Sequence, residues 1–156
     1  MSEQYEFFFS NTPFSQFANS RFTIDGQIYT WAEQYMMSMK AIIFKDYDTL
    51  EKILNAKSPN EVKKLGRSVC NFIEAEWDKN KYKIVVDGNT AKFSQNEKLK
   101  KKLLDTGSKI LVEASPYDRI WGIGFNDDTA LQNKDKWGQN LLGLALMEVR
   151  TKLKKQ

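Results

Sequence analysis

The chain has 156 residues, enough for one ordinary domain that buries roughly two-thirds of its unfolded surface and too few for two. With 41% hydrophobic and 28% charged residues it belongs with soluble globular proteins, not disordered or collagen-like chains, and no apolar run reaches the roughly 18 residues of a membrane span. A net charge of +4 favours anionic ligands without announcing a duplex reader, and the complete lack of histidine excludes Ser-His-Asp and Cys-His catalysis and every histidine-ligated metal site.

The opening Met1-Ser2-Glu3-Gln4-Tyr5-Glu6 lacks the basic-then-apolar layout of a secretory leader, so a cytoplasmic location is expected. Phe7-Phe8-Phe9 is a strand candidate. The segment from Ser10 to Ser20 mixes turn formers with Phe14 and Phe17, which should fold back onto the body and leave the intervening amides and hydroxyls to face a ligand; Asn19 is a further substrate-contact candidate. Phe22-Thr23-Ile24 and Ile28-Tyr29-Thr30 bracket Asp25-Gly26, a short-range hairpin signal.

Thr30-Trp31-Ala32-Glu33 fits a capping box and predicts a helix to about Phe44. At about 100° per residue its core stripe is Trp31, Tyr35, Met39 and Ile42, widened by Met36 and Ile43. Glu33 and Lys40 share nearly one azimuth beside Met37 and Phe44. A charge held among apolar side chains is costly unless paired, and function is a common reason for keeping it, so the pair is a candidate for chemistry; capping and snorkelling are the plain alternatives.

Asp46 caps a second helix through Leu54, and Ser58-Pro59 starts a third that Gly66 closes. Helical spacing runs from Ser68 to Trp77, with Cys70 read as a small buried hydrophobe; Ile84-Val85-Val86 reads as strand or helix. Ser94 caps a helix that stops at Thr106-Gly107, Ile110-Leu111-Val112 is a buried strand candidate, and the last helix covers about Asn140 to Lys152. Lysine runs at 98–102 and 152–155 read as solvated helix faces.

Between the last two elements, residues 113–124 combine acids, an arginine and a tryptophan with one proline and two glycines, a setting in which sites concentrate. Asp118 and Glu113 lie near Trp121, and a carboxylate beside an aromatic wall gains a raised pKa and serves as a general acid. Ser115 is a contact candidate in the same stretch. Trp77 and Trp121 are either core or stacking residues; Arg67 offers a bidentate phosphate contact, and Asn140 stands at a helix start that favours an anion. No calcium-loop spacing, P-loop or dinucleotide fingerprint occurs.

The pieces Pro13-Phe14-Ser15-Gln16-Phe17, Glu33-Gln34-Tyr35-Met36 with Lys40-Ala41, Leu65-Gly66-Arg67, Lys92-Phe93, Leu103-Leu104-Asp105-Thr106-Gly107, Glu113-Ala114-Ser115-Pro116, Trp121-Gly122-Ile123-Gly124 and Trp137-Gly138-Gln139-Asn140-Leu141-Leu142-Gly143 together resemble the NADAR (YbiA-like) family. The resemblance spans nearly the whole chain in order. It implies a single α+β domain over residues 1–156, compact and predominantly helical, with a few short strands including an N-terminal hairpin.

The resemblance further implies hydrolysis of an N-glycosidic bond between a ribose and a base, with no metal and no redox cofactor. The substrates it implies are ADP-ribose on guanine in nucleic acid and the ribosylamino-pyrimidine phosphates of early riboflavin synthesis. Gln34 stands where many relatives have histidine, and Gln16 where they usually have asparagine. Cleavage wants a carboxylate near the anomeric carbon and a proton donor near the leaving base, roles that fit Glu33 and Asp118. Lys40, partly desolvated, would attack an opened ribose as an imine-forming nucleophile. Arg67 and the Asn140 helix start would take phosphate, and Trp77 or Trp121 would stack on base or ribose. The competing reading is a non-catalytic module that binds ADP-ribose or NAD.

Overall fold

The structure, a computed structural model, describes residues 4–156. Met1, Ser2 and Glu3, which open the stretch read above for a leader, lie outside the described residues. The alternating turn chemistry of Asp25-Gly26 does form a hairpin: both residues have positive φ, 51° and 83°, and β2 (Phe22–Ile24) pairs antiparallel with β3 (Gln27–Tyr29). The other two strands are far apart in sequence. β1 (Tyr5–Phe8) runs parallel to β4 (Ile110–Glu113), with Tyr5 opposite Ile110 and Phe8 opposite Glu113.

Among the described residues there are seven α-helices: α1 (Ala32–Ile43), α2 (Tyr47–Leu54), α3 (Pro59–Arg67), α4 (Glu74–Ser94), α5 (Glu97–Asp105), α6 (Asp127–Ala130) and α7 (Leu141–Lys154); a 3-10 turn, Leu131–Lys136, follows α6. Asp46 and Ser58 cap α2 and α3 as their side chains allow, accepting from the Thr49 and Glu61 amides, and Pro59 sits at the first turn where its missing N–H costs nothing. The expected mostly helical α+β fold is present. α4 is its axis, packing on α1 and α7, and Gly88 lets it approach α1 so closely that a Cβ there would lie 2.8 Å from the Tyr35 ring. Phe22, Phe93, Leu103, Leu142, Leu146 and Leu153 fill the core, while Val112, Ile123 and Ala130 form a second cluster roofed by Trp137, whose indole N–H donates to the Ala130 carbonyl. No helix among the described residues is long and apolar enough to cross a membrane.

Several local expectations are corrected. Thr30 does not cap α1: the N-cap is Trp31 without a side-chain bond, and Gln34, not Glu33, reaches back to the Thr30 amide (2.8 Å). Gln34 also donates to the carbonyls of Ile53 and Leu54, so this buried amide ties α1 to the end of α2. Nor is α1 a one-stripe helix. Residues Ala32 to Ser38 are all buried, because α2, α3 and α4 all pack against α1, whereas Ile42 is exposed and Met39 and Ile43 are half-buried.

Residues 68–73 are not helical, since Asn71 takes a left-handed conformation (φ 62°) and α4 begins only at Glu74; Ile84-Val85-Val86 is helix. Ser94 ends α4 instead of capping α5, whose N-cap is Asn96. Cys70 is exposed, not buried: its amide donates to Asp46 (2.8 Å), and the Asp46 charge pushes its thiol pKa up.

Candidate active site

A cavity of about 560 Å³ opens where the exit of β1, the 15–17 segment, α1, α3, the start of α4 and the 113–121 segment meet. Eight of the ten residues singled out in the sequence line it: Glu33, Lys40, Arg67, Trp77, Glu113, Ser115, Asp118 and Trp121. The other two do not. Asn19 is exposed on the loop beyond Phe17, and the Asn140 side chain is spent on β4, accepting from the Glu113 amide (3.0 Å) and donating to the Leu111 carbonyl (3.0 Å). Asn140 caps no helix with its side chain; it takes φ 52° and stitches the start of α7 to the strand that carries Glu113.

Glu33 projects from the first turn of α1, where its amide donates to the Gln16 carbonyl (3.0 Å). Its side chain is buried, and among the described residues no hydrogen bond or ion pair reaches its carboxylate. Desolvation therefore pushes the Glu33 pKa up to about 7; Lys63, Lys40 and Arg67 pull against this and Asp118 adds to it. Glu113, the last residue of β4, is also pushed up to about 7 by desolvation, here reinforced by Asp118 and Glu33 and opposed only by Lys63. Its Oε2 is enclosed without a hydrogen-bond partner among the described residues. Two carboxyls poised near neutrality thus share one cavity in unlike company. Three cations favour the charged form of Glu33, and two acids favour the protonated form of Glu113.

Lys40 lies two turns beyond Glu33 and is half-buried. Its Nζ donates to the Gly66 carbonyl (2.8 Å) and sits 4.6 Å from the Phe72 ring centroid and 5.9 Å from that of Trp77. Burial lowers its pKa, with the Glu33 charge opposing. The close approach of α3 that brings this carbonyl in depends on Gly66, where a Cβ would collide with Met37. Asp118 is bound differently from the role read in the sequence: one oxygen, Oδ1, accepts from the amides of Ile120 and Trp121, both 2.9 Å, and so shapes the turn that presents Trp121.

The sequence reading passed over Lys63, which joins Arg67 on one face of α3 at the i,i+4 spacing; that spacing was the available signal. It also passed over Phe17, Met36 and Met37 as lining residues, whereas Ser15 and Gln16, the hydroxyl and amide expected between Phe14 and Phe17 to face a ligand, do line the cavity. Phe9, Tyr117 and Ile120 stand exposed at its mouth, as single apolar residues that no sequence pattern marks. No group of three or more His, Cys, Asp or Glu among the described residues is arranged to hold a metal ion.

Several proteins that this chain resembles in sequence are named N-glycosidases. The chain is 50% identical over 124 residues to N-glycosidase R617 of Acanthamoeba polyphaga mimivirus, covering 78% of this chain and 73% of that one. It is 32% identical over 141 residues to N-glycosidase Npun_R5314 of Nostoc punctiforme, covering 90% and 85%. The NMR structure of the E. coli protein YbiA superposes with a TM-score of 0.81 at 29% identity, over 99% of this chain and 88% of that one. The NADAR domain matches residues 4–154, and the chain belongs to that family.

Proposed function

We propose that the protein hydrolyses the N-glycosidic bond between a ribose carrying phosphate and a base or amine. One observation carries this reading: Glu33 and Glu113, both near neutrality, face one cavity with opposite biases. Breaking the bond leaves positive charge at the anomeric carbon and a strongly basic nitrogen on the leaving group, so it needs a carboxylate at one and a proton at the other. Glu33, flanked by Lys63, Lys40 and Arg67, is the carboxylate that stabilises the cationic sugar and takes a proton from the attacking water. Glu113 gives its proton to the leaving nitrogen. Asp118, with Oδ1 engaged by two amides, holds the Trp121 turn, so the donor role passes to Glu113.

Lys63 and Arg67 form the cationic edge of the cavity and suit a phosphate, with arginine offering a bidentate fork. Trp77 and Trp121 supply apolar walls for base or ribose. Two substrate classes fit this division of the cavity: ADP-ribose attached to guanine, free or in nucleic acid, and ribosylamino-pyrimidine phosphates. The half-buried Lys40 amine adds a covalent route in which its nitrogen attacks C1 of the ring-opened ribose, the base leaves C1 with a proton as the lysine imine forms, and water then hydrolyses the imine to free the sugar and the amine. The deciding experiment incubates the protein with ADP-ribosylated guanosine and, separately, with a ribosylamino-pyrimidine phosphate, and follows released base by mass spectrometry. Release from either supports hydrolysis. Tight binding of ADP-ribose or NAD without any release would instead establish the non-catalytic binding module.

A further inference from the structure

The 15–17 segment forms one wall of the cavity, and α4 holds it from behind through two fully buried side chains. Lys92 Nζ donates to the Ser15 carbonyl (2.9 Å), and Asn89 Nδ2 donates both to the Val85 carbonyl (2.9 Å) and to Gln16 Oε1 (2.8 Å). The Val85 contact fixes which way the Asn89 amide points, because only its NH2 group can donate there. The Gln16 side chain must then turn its oxygen to Asn89 and its NH2 group the other way. On that side, among the described residues, Gln16 Nε2 meets only the Met36 sulfur at 3.8 Å, a weak acceptor. Gln16 thus presents an underused donor over the first turn of α1, the turn that carries Glu33, while its backbone carbonyl binds the Glu33 amide.

From this juxtaposition we infer that Gln16 is a specificity-determining residue whose Nε2 donates a hydrogen bond to the ribose hydroxyl next to the anomeric carbon, an inference that rests on the N-ribosyl reading above. A sugar placed with its anomeric carbon at Glu33 brings that hydroxyl to the same turn. A donor there favours ribose over 2-deoxyribose, because without the hydroxyl the half-buried amide loses its strong acceptor and keeps the weak sulfur contact. Asn89 and Lys92 prevent the segment from withdrawing.

The test measures calorimetrically the binding of ADP-ribose and of its analogue lacking that hydroxyl on the terminal ribose, for the unmodified protein, Gln16→Ala and Gln16→Met. Gln16→Met keeps the length of the side chain, removes the amide without adding charge and leaves Asn89 its Val85 partner, so it reports even where Gln16→Ala fails to fold. The expected result is about a 10-fold preference for ADP-ribose in the unmodified protein, lost in both variants while the affinity for the analogue changes little. No preference in the unmodified protein, or an undiminished preference in Gln16→Met, overturns the assignment. Binding of neither ligand overturns it together with an ADP-ribosyl substrate, whereas the base-release assay tests hydrolysis separately.

Discussion

Replacing Glu33 with glutamine separates what the carboxylate costs from what it does. Burial raises its pKa from 4.5 to about 7, so between those values the folded protein holds a proton that the unfolded chain has released. The sign follows: the group costs nothing below about pH 4.5, and stability falls as pH rises towards 7, with the full penalty present above it. At about 1.4 kcal/mol per pH unit, the penalty at pH 8.5 is about 3 kcal/mol. Glutamine is neutral throughout and of the same shape. Since the Thr30 amide is satisfied by Gln34, no cap is lost. Glu33→Gln should therefore be more stable than the unmodified protein by about 3 kcal/mol at pH 8.5 and nearly equal to it at pH 4.5. Turnover should fall roughly a hundredfold or more if the carboxylate supports the sugar cation. Urea unfolding at the two pH values and base release at pH 8.5 check both halves. A stability change that is the same at both pH values would refute the desolvation argument, and retained turnover would remove Glu33 from the chemistry.

Lys92, pushed down to about 7 by burial, should make stability rise with pH from about 7 to 10.5, because the unfolded lysine keeps its proton longer; the rise is up to about 1.4 kcal/mol per pH unit and should be absent in Lys92→Met, as urea unfolding at pH 7 and 9 will show. If the Lys40 amine attacks the opened ribose, borohydride added during turnover should leave a reduced sugar adduct on Lys40, read by peptide mass spectrometry, and Lys40→Ala should lose it; an Ala variant with full turnover restricts Lys40 to holding the Gly66 carbonyl. Asn140→Ala should cost about 2 kcal/mol or more, since it strips the buried partners of β4, and a melting temperature that does not move would contradict that role.

What the sequence disclosed was governed by distance along the chain. The Asp25-Gly26 hairpin and the Asp46 and Ser58 caps depend on neighbours within a few residues, so their residue types announce them. The face of α1 could not be read that way. A helix enclosed on all sides over its first two turns has no polar stripe to set a phase, and its Glu33 then resembles a capping acid when the cap belongs to Gln34. Cys70 looked buried among apolar neighbours, but the Asn71 turn lifts that stretch off the body and exposes Phe72 and Ile73 as well. In the cleft, Glu33, Lys40, Glu113 and Trp121 were recognisable as charges and aromatics in unusual company. Gln16 was marked only as part of the polar stretch between Phe14 and Phe17, because α4 behind it sets its place, and Lys63 was not marked, because its place depends on Arg67 beside it. Asn140 was noticed for its position at a helix start, and only tertiary structure shows that its amide is used up by β4.

The parallel pairing of β1 with β4 has a consequence for how the molecule is assembled. Between these two strands the chain lays down the hairpin and five helices, yet Glu113 reaches the cleft only as the final residue of a strand registered against Phe8. Closing so large a loop costs entropy before any contact repays it, so this pairing should be a late step in folding. On a translating ribosome, α1 with Glu33 and Lys40 can dock against α2 and α3 long before the acid that completes the pair has been synthesised. Competence should therefore lag behind helix content: a refolding chain regains its far-ultraviolet dichroism first and its base-releasing power last.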